Sequence, residues 1–317
     1  MEDAQTNGMA RENGQDIVLS ESRTRFNEHK GIVLPSHALP EVIEDLQSFK
    51  FRPDDILVVT SPKSGTHWVF ETVALIMADG VWENVKRDTL KNHLEFVILN
   101  KDAFDESKPM TMFYKQLDKM PSPRIMFTHL PLELLPPGVF EANAKIIYSA
   151  RNPKDVLASL YRFIGKTPEA LFVTWEILYS TIFTDQFFYG AWDRHVLSYW
   201  KLRNDKNVLF LKYEDMKKNP TKIVAQIAEF INHPISDDVR DVIVEKTSLD
   251  KIKKEMKRLE ETLEDGYMFS KAYGTLNYFQ KGVIGDWKNY FTVAQNEQFD
   301  KELEERLGES GLEFDYE

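Results

Sequence analysis

A lysine lies among small residues in the stretch "TSPKSGTHW" (60–68), directly after the four apolar residues at 56–59. The next residues, "VFETVALIM" (69–77), have helical spacing, so the pattern predicts a strand, a tight loop and a helix. Small residues let backbone N–H groups converge, and a helix N-terminus carries partial positive charge. The segment would then surround an anion with Lys63, Ser64, Gly65, Thr66 and His67. The chemistry predicted for this loop is phosphate binding, with Lys63 as a point charge.

The loop differs from the nucleotide-triphosphatase loop G-x-x-x-x-G-K-[ST]. Lys63 precedes Gly65, the first glycine is missing, and no acid-rich strand end that would bind magnesium follows. Kinase chemistry is therefore disfavoured, and no metal is expected. Short glycine loops are common, so an ordinary turn with a surface lysine remains an equal alternative when the loop is considered alone.

Three further apolar runs have the length of buried strands: "RIMFT" (124–128), "KIIYSA" (145–150) and "VLFLK" (208–212). Helical patterns separate and follow them at 41–49, 153–163, 169–189, 192–203, 221–231, 236–246 and 248–265, the last one charged and expected to be a solvated helix or a lid. This alternation predicts an α/β fold with a parallel central sheet flanked by helices.

Polar residues follow the predicted strands at the positions where parallel sheets bind ligands. Such sheets bind ligands beyond the carboxyl ends of their strands. One chemically capable side chain comes after each of the four predicted strands, namely Lys63, His129, Arg151 and Tyr213. We therefore expect these four residues to meet at one site.

The composition limits the function classes. The 317 residues are 42% hydrophobic, enough for a large core, and the net charge of −11 without a long basic run argues against a nucleic-acid partner. The polar first fifteen residues have no signal-peptide pattern, no apolar run reaches membrane-helix length, and there is no cysteine. These features predict a cytoplasmic protein that binds no membrane and has a local anion site.

Several motifs of the chain resemble those of the cytosolic sulfotransferases. The stretch "TSPKSGTHWV" is similar to the 5′-phosphosulfate-binding loop of that family. Four later stretches resemble further motifs of that family, in the same order: "THLPLELLP", "YSARNPKDVLASLYRF", "LKYEDMKKNP" and "KGVIGDWKNYFTVAQNEQFD". The resemblance extends from about residue 40 to the C-terminus. It implies a P-loop-like sulfotransferase fold in a single domain over 36–317. The N-terminal segment is polar and has no clear periodicity, so a mobile tail is expected at 1–35.

The resemblance also implies a reaction. The donor would be 3′-phosphoadenosine 5′-phosphosulfate, and the acceptor a hydroxyl or amine of a small lipophilic or phenolic molecule. His129 matches the catalytic base, and Lys63 matches the residue that contacts the 5′-phosphate and the bridging oxygen, while the amides of residues 64–67 hold that phosphate. The 3′-phosphate positions of the family correspond to Arg151, Ser159, Lys281 and Gly282. The adenine positions correspond to Trp68, Tyr213, Thr247 and Tyr278.

The sequence departs from the family pattern at several positions. The usual Arg-Lys-Gly reads Gln280-Lys281-Gly282, which is expected to weaken donor binding because a bidentate arginine is absent. Phe127 replaces an auxiliary lysine, Leu249 an aromatic residue and His67 a threonine. These departures concern donor affinity more than reaction type.

Two further expectations concern partners. The spacing of Lys288, Thr292, Val293 and Glu297 is typical of the family's dimerisation motif and predicts a homodimer. Six aromatic residues could line an apolar pocket for the acceptor, although aromatic residues at such spacings more often belong to the core. They are Phe104, Phe113, Tyr114, Phe163, Phe172 and Tyr273. Three alternatives stay open: a dehydratase that acts through a transient sulfate ester, a non-catalytic nucleotide or lipophile binder, and a metabolite kinase.

Overall fold

The computed structural model of the chain describes residues 26–85, 92–98, 111–166, 172–262 and 279–317. The strands in these residues are β1 (Asn27–His29), β2 (Ile32–Leu34), β3 (Ile56–Thr60), β4 (Val97–Ile98), β5 (Thr111–Met112), β6 (Ile125–Thr128), β7 (Lys145–Ala150) and β8 (Val208–Lys212). The α-helices are α1 (Pro40–Leu46), α2 (Thr66–Ile76), α3 (Phe113–Leu117), α4 (Gly138–Glu141), α5 (Pro153–Ile164), α6 (Trp175–Thr181), α7 (Trp192–Trp200), α8 (Tyr213–Lys218), α9 (Pro220–Phe230), α10 (Asp237–Lys246), α11 (Leu249–Thr262) and α12 (Val293–Leu307).

The centre of the fold is a four-stranded parallel sheet in the order β6-β3-β7-β8. Its strands are the four apolar runs of the sequence, so the predicted parallel sheet is confirmed. Ile56 pairs with Ile125 on one side and with Lys145 on the other, which aligns the carboxyl ends of β6, β3 and β7. Residues that follow these strands are therefore brought to the same edge.

Helices cover both faces of the sheet. Leu57 and Val59 of β3 pack into a core that includes residues of α5 and α7. The alternate residues Ile56 and Val58 pack into a second core with residues of α2 and α9. This alternation shows why β3 is apolar throughout, since a strand of a parallel sheet is buried on both sides.

The N-terminal boundary of the domain differs from the prediction. Strands β1 and β2 form an antiparallel hairpin inside the 1–35 segment that was expected to be a mobile tail. Its turn places Lys30 and Gly31 at positive φ, and Ile32 and Leu34 are buried in the main core. The tail assignment is therefore wrong for residues 26–35, because alternate apolar side chains anchor this short strand.

The helix expected over 169–189 is also wrong in its extent. In the described part of that range, helix α6 covers only Trp175–Thr181. The chain then turns, with Tyr189 and Gly190 at positive φ, and the Trp192 amide donates to the Ile182 carbonyl at 2.8 Å. The turn buries Phe187 in the core. Tertiary burial of aromatic residues thus takes precedence over the helical pattern.

Helix α11 confirms a helix at the charged segment, although residues 263–265 of that prediction lie outside the described residues. One side of the helix is not solvated, because Ile252, Met256 and Leu259 are buried and pack with Trp68 and Phe279. None of the helices in the described ranges has the length and apolar character needed to cross a membrane.

Candidate active site

A cavity of about 470 Å³ opens at the carboxyl edge of the sheet. It is lined by residues that follow all four strands of the sheet, and by segments from α10 and from 279–286. The predicted site residues that meet in it are Lys63, Gly65, Thr66, His67, Trp68, His129, Arg151, Ser159, Tyr213, Thr247, Lys281 and Gly282. Of the predicted set in the described residues, only Ser64 lies behind the wall, where it is fully buried.

The loop between β3 and α2 is held by the neighbouring strand. The Ser149 hydroxyl donates to the Ser64 carbonyl at 2.7 Å, and Arg151 Nη1 donates to the Lys63 carbonyl at 3.3 Å. Lys63 and Gly65 both have positive φ, at 67° and 96°. A Cβ on Gly65 would come within 2.9 Å of Tyr213 Cδ2, so the site requires glycine for both backbone and space.

Lys63 has an unusual electrostatic environment. Its side chain is half-buried, and its Nζ lies 4.3 Å from the centroid of the Phe163 ring. Burial first, and then the charges of Arg151 and Arg162, lower the pKa of Lys63 to about 7. The free site therefore disfavours the lysine cation, and an anion that binds there restores the charge.

His129 is oriented through its Nδ1 atom. This atom lies 2.9 Å from the Thr60 carbonyl oxygen, which only accepts, so Nδ1 carries the hydrogen and the neutral ring keeps its lone pair on Nε2. Burial, and then the charge of His93, lower the pKa of His129 to about 3. His195 Nε2 donates to the His129 carbonyl at 3.0 Å. His129 is thus a neutral, positioned imidazole.

Glu95 supports His129 and was not predicted from the sequence. This fully buried carboxylate accepts from the His129 amide at 3.0 Å, from the Thr128 hydroxyl at 2.7 Å and from His93 Nε2 at 2.9 Å. Burial raises its pKa, but His93 and His129 together hold the pKa of Glu95 at about 2. In the sequence, Glu95 is marked only as an acidic residue between the apolar residues of "HLEF".

Arg151 precedes the N-cap of α5, and Ser159 lies in the second turn of that helix. Both are buried, and both line the cavity. Arg151 Nη2 donates to the Val283 carbonyl at 3.0 Å, and its guanidinium lies 4.3 Å from the Tyr213 ring. Its Nε is buried and has no hydrogen-bond partner in the described residues. The Arg151 side chain is therefore fixed in place, and its Nε–H can donate to a ligand.

A network next to these residues connects α5 with 280–286. Asp286 is buried and accepts from Lys281 Nζ at 2.6 Å, and it pairs with Arg162 Nη1 at 2.5 Å. Arg162 Nε donates to Gln280 Oε1 at 2.7 Å. Gly282 has a φ of 64°, which suits glycine. Arg162 was missed in the sequence, although its spacing of three from Ser159 put both on one helix face.

Aromatic side chains form the wall between the loop and α8. The Trp68 and Tyr213 rings meet edge to face at 5.7 Å, and Thr247, at the end of α10, is buried beside them in the cavity lining. Tyr278, predicted for the same region, lies outside the described residues. Such a wall suits a planar apolar ring.

The predicted acceptor aromatics are mostly elsewhere. Phe163 lines the cavity, but Phe113 is in the core, Tyr114 bonds to Asp45, and Phe172 lines a separate small pocket. Phe104 and Tyr273 lie outside the described residues. The aromatic residues that line the cavity around His129 are instead Phe26, Phe96, Phe127, Phe188 and Tyr189. Sequence spacing alone did not separate these from core residues.

The residues of the predicted dimer motif lie together on the surface. Lys288 Nζ bonds to Glu317 Oε1 at 2.6 Å, and the Thr292 hydroxyl caps α12 by accepting from the Gln295 amide. Val293 is 76% exposed, the highest value among the large apolar side chains of the described residues. Glu297 lies one turn further along α12.

Comparison with known proteins identifies similar sequences. Residues 53–311 match the family described as the sulfotransferase domain. Sulfotransferase 1B1 of Canis lupus familiaris is 39% identical over 278 residues, which are 86% of this chain and 89% of that protein. Sulfotransferase 1E1 of Homo sapiens is 38% identical over 299 residues, 92% of this chain and 96% of that protein.

Solved structures are similar as well. The mouse sulfotransferase SULT7A1 complexed with PAP has a TM-score of 0.72 and 30% identity, over 90% of this chain and 96% of that one. A retinol dehydratase in a complex with retinol and PAP has a TM-score of 0.71 over 87% of this chain and 88% of that one. At 22% identity, the second match shows the fold alone.

Proposed function

Because the chain belongs to the sulfotransferase family, we propose that it transfers a sulfuryl group from 3′-phosphoadenosine 5′-phosphosulfate to a hydroxyl or amine of a small lipophilic or phenolic acceptor. The observation that carries the proposal is the cavity itself. It joins the Lys63 loop, the neutral His129 and the cationic residues Arg151 and Lys281 at one edge of the sheet. The PAP in the mouse relative supports the choice of donor.

The residues of the cavity fit this donor. Its 5′-phosphosulfate would lie on the loop at Lys63, its adenine against Trp68 and Tyr213, and its 3′-phosphate beside Arg151 and Ser159. Arg151 lines the cavity, and its buried Nε has no hydrogen-bond partner in the described residues. Unsatisfied buried donors are costly, so an anion that accepts from them is favoured.

We assign the acceptor proton to His129. An acceptor hydroxyl loses its proton as its oxygen attacks sulfur, and the Nε2 lone pair of the neutral ring can receive that proton. The nearby anionic donor would raise the pKa of His129 from its low value in the free site. The bridging oxygen gains negative charge as the S–O bond breaks, and Lys63 stabilises that charge.

The remaining partner proposals are coarser. The aromatic wall around His129 suits an apolar acceptor skeleton with one nucleophilic group. The charge of −11 and the local cation cluster fit a small anionic donor rather than nucleic acid. We also propose a cytoplasmic enzyme that forms a homodimer through Lys288, Thr292, Val293 and Glu297.

One assay tests the function against its alternatives. The purified chain is incubated with donor labelled in its sulfur and with a phenol, a steroid, an amine and an allylic alcohol. A labelled, acceptor-dependent ester or sulfamate is the expected product. Labelled inorganic sulfate together with an olefin would identify a dehydratase instead. Nucleotide binding without any acceptor-dependent product would identify a non-catalytic binder.

A further inference from the structure

Arg162 lies on α5 and lines the cavity. It follows Ser159 by three residues on that helix, so the two side chains share a face. Both line the cavity, together with Arg151, Lys281 and Gly282. Its side chain is 19% exposed, so the guanidinium is largely enclosed and yet reaches the cavity wall.

Two neighbours hold this guanidinium in place. Nε donates to Gln280 Oε1 at 2.7 Å, and Nη1 lies 2.5 Å from Asp286 Oδ2. The Gln280 Nε2 group is buried and has no hydrogen-bond partner in the described residues. An arginine held at Nε and Nη1 keeps its guanidinium plane oriented, which reduces the entropy lost when Nη2 donates to an anion.

Arg162 lies in a group of charged side chains at the cavity wall. The buried Asp286 carboxylate is shared between Arg162 and Lys281. Two further acids are near Arg151: Asp155 lies 3.6 Å from it and also accepts from the Gly285 and Trp287 amides, and Glu214 is buried and interacts with its charge. The charges of Arg151 and Arg162 also contribute to the lowered pKa of Lys63. Arg151, Arg162 and Lys281 thus form a cluster of cations in the cavity wall, which is the kind of environment that a phosphate dianion needs.

We propose that Arg162, oriented by Gln280 and Asp286, binds the 3′-phosphate of the donor together with Arg151 and Ser159. This inference rests on the proposed function and adds a binding residue to it. Gln280 then has a positioning role, because it directs a guanidinium supplied by α5. The weakened donor binding expected from Gln280 in the sequence would be offset by Arg162.

Calorimetry with two nucleotides tests the assignment. Arg162→Ala should weaken the binding of adenosine 3′,5′-bisphosphate about tenfold or more, since it removes charge-assisted hydrogen bonds. Adenosine 5′-phosphate, which lacks the 3′ group, should change less than about threefold. Arg203→Ala, which removes an equal charge outside the cavity, should change neither. Arg162→Lys keeps the positive charge but lacks the planar guanidinium, and it serves as the second variant if Arg162→Ala does not fold.

A second pair of variants tests the role of Gln280. In the Arg162→Ala background, Gln280→Arg should restore most of the lost bisphosphate affinity, because a guanidinium returns to the same place. In the native background it should give no gain, since Arg162 is already there. The inference would be overturned if Arg162→Ala lowered the affinity for both nucleotides equally, or left both affinities unchanged. It would also be overturned if Gln280→Arg raised the bisphosphate affinity equally in both backgrounds. If the native chain does not prefer the bisphosphate over the 5′-phosphate, the proposed donor itself is wrong.

Discussion

Lys63 is a residue of the cavity whose charge should depend on whether an anion is bound. Its pKa of about 7 in the free site is set by burial and by two neighbouring arginines. At a pH of about 8 most of this lysine is therefore neutral before a nucleotide binds. A bound phosphate favours the cation and raises the pKa again.

Nucleotide binding at a pH of about 8 should therefore take up close to one proton. Calorimetry of adenosine 3′,5′-bisphosphate in buffers of different ionisation enthalpy measures this number directly. Lys63→Met keeps most of the length of the side chain, and it should abolish the proton uptake as well as most turnover. Equal proton uptake by the variant and the native chain would contradict the assignment, because another group would then be titrating.

His129 should affect turnover and leave nucleotide binding intact. His129→Ala removes the proposed base, so turnover with hydroxyl acceptors should fall about 10²- to 10⁴-fold. Affinity for adenosine 3′,5′-bisphosphate should stay the same, because the base acts on the acceptor. His233→Ala is the matched control, since His233 pairs with Asp79 outside the cavity. Should the His129 variant lose affinity and turnover equally, the histidine is structural.

At the scale of elements, the site depends on the turn from β3 into α2. Strand β7 and the residue after it support this turn through Ser149 and Arg151, and α8 packs Tyr213 against it. The position of the loop is thus set by two elements, β7 and α8, that are close in the fold and distant in the sequence. A small change at the point of closest approach should disturb the loop.

Gly65→Ala is that change. The new Cβ would lie 2.9 Å from Tyr213 Cδ2 at a φ of 96°, so both sterics and backbone conformation oppose it. We expect bisphosphate affinity to fall about tenfold or more. Gly31→Ala is the control. The φ of Gly31 is also positive, at 82°, but no atom lies within 4 Å of the position that its new Cβ would take. This variant should lower the free energy of unfolding by about 1 kcal/mol and keep affinity. A similar loss of affinity in both variants would mean that strain acts through global stability.

At the scale of the whole molecule, a cation-rich cavity lies in a chain of net charge −11. The acidic surface favours solubility, and the local cluster supplies the attraction for an anionic donor. The exposed Val293 on α12 is on the surface where we propose that two copies meet.

Val293→Glu should convert the proposed dimer into a monomer and leave turnover unchanged. A carboxylate at the centre of a small contact would have to be desolvated without a partner. Sedimentation velocity over a range of concentrations measures the assembly. Val242→Glu, on the exposed side of α10, is a matched control that should remain dimeric. A native chain that stays monomeric at every concentration would refute the proposed interface.

The sequence by itself determined the central sheet and which four polar residues follow its strands. Apolar runs of strand length, separated by helical spacing, imply a parallel sheet, and parallel strands bring their carboxyl ends to one edge. Lys63, His129, Arg151 and Tyr213 could be placed together for that reason. The roles assigned to them came from the family resemblance.

The tertiary structure alone decided how distant segments complete the site. Arg162 meets Gln280, Glu95 meets His129, and Phe26 shares a cavity with Phe188. Local periodicity reports which face of an element is apolar, but it does not report which other element will pack there. The same reason explains the hairpin at 27–34 and the short α6, since long-range burial decided both.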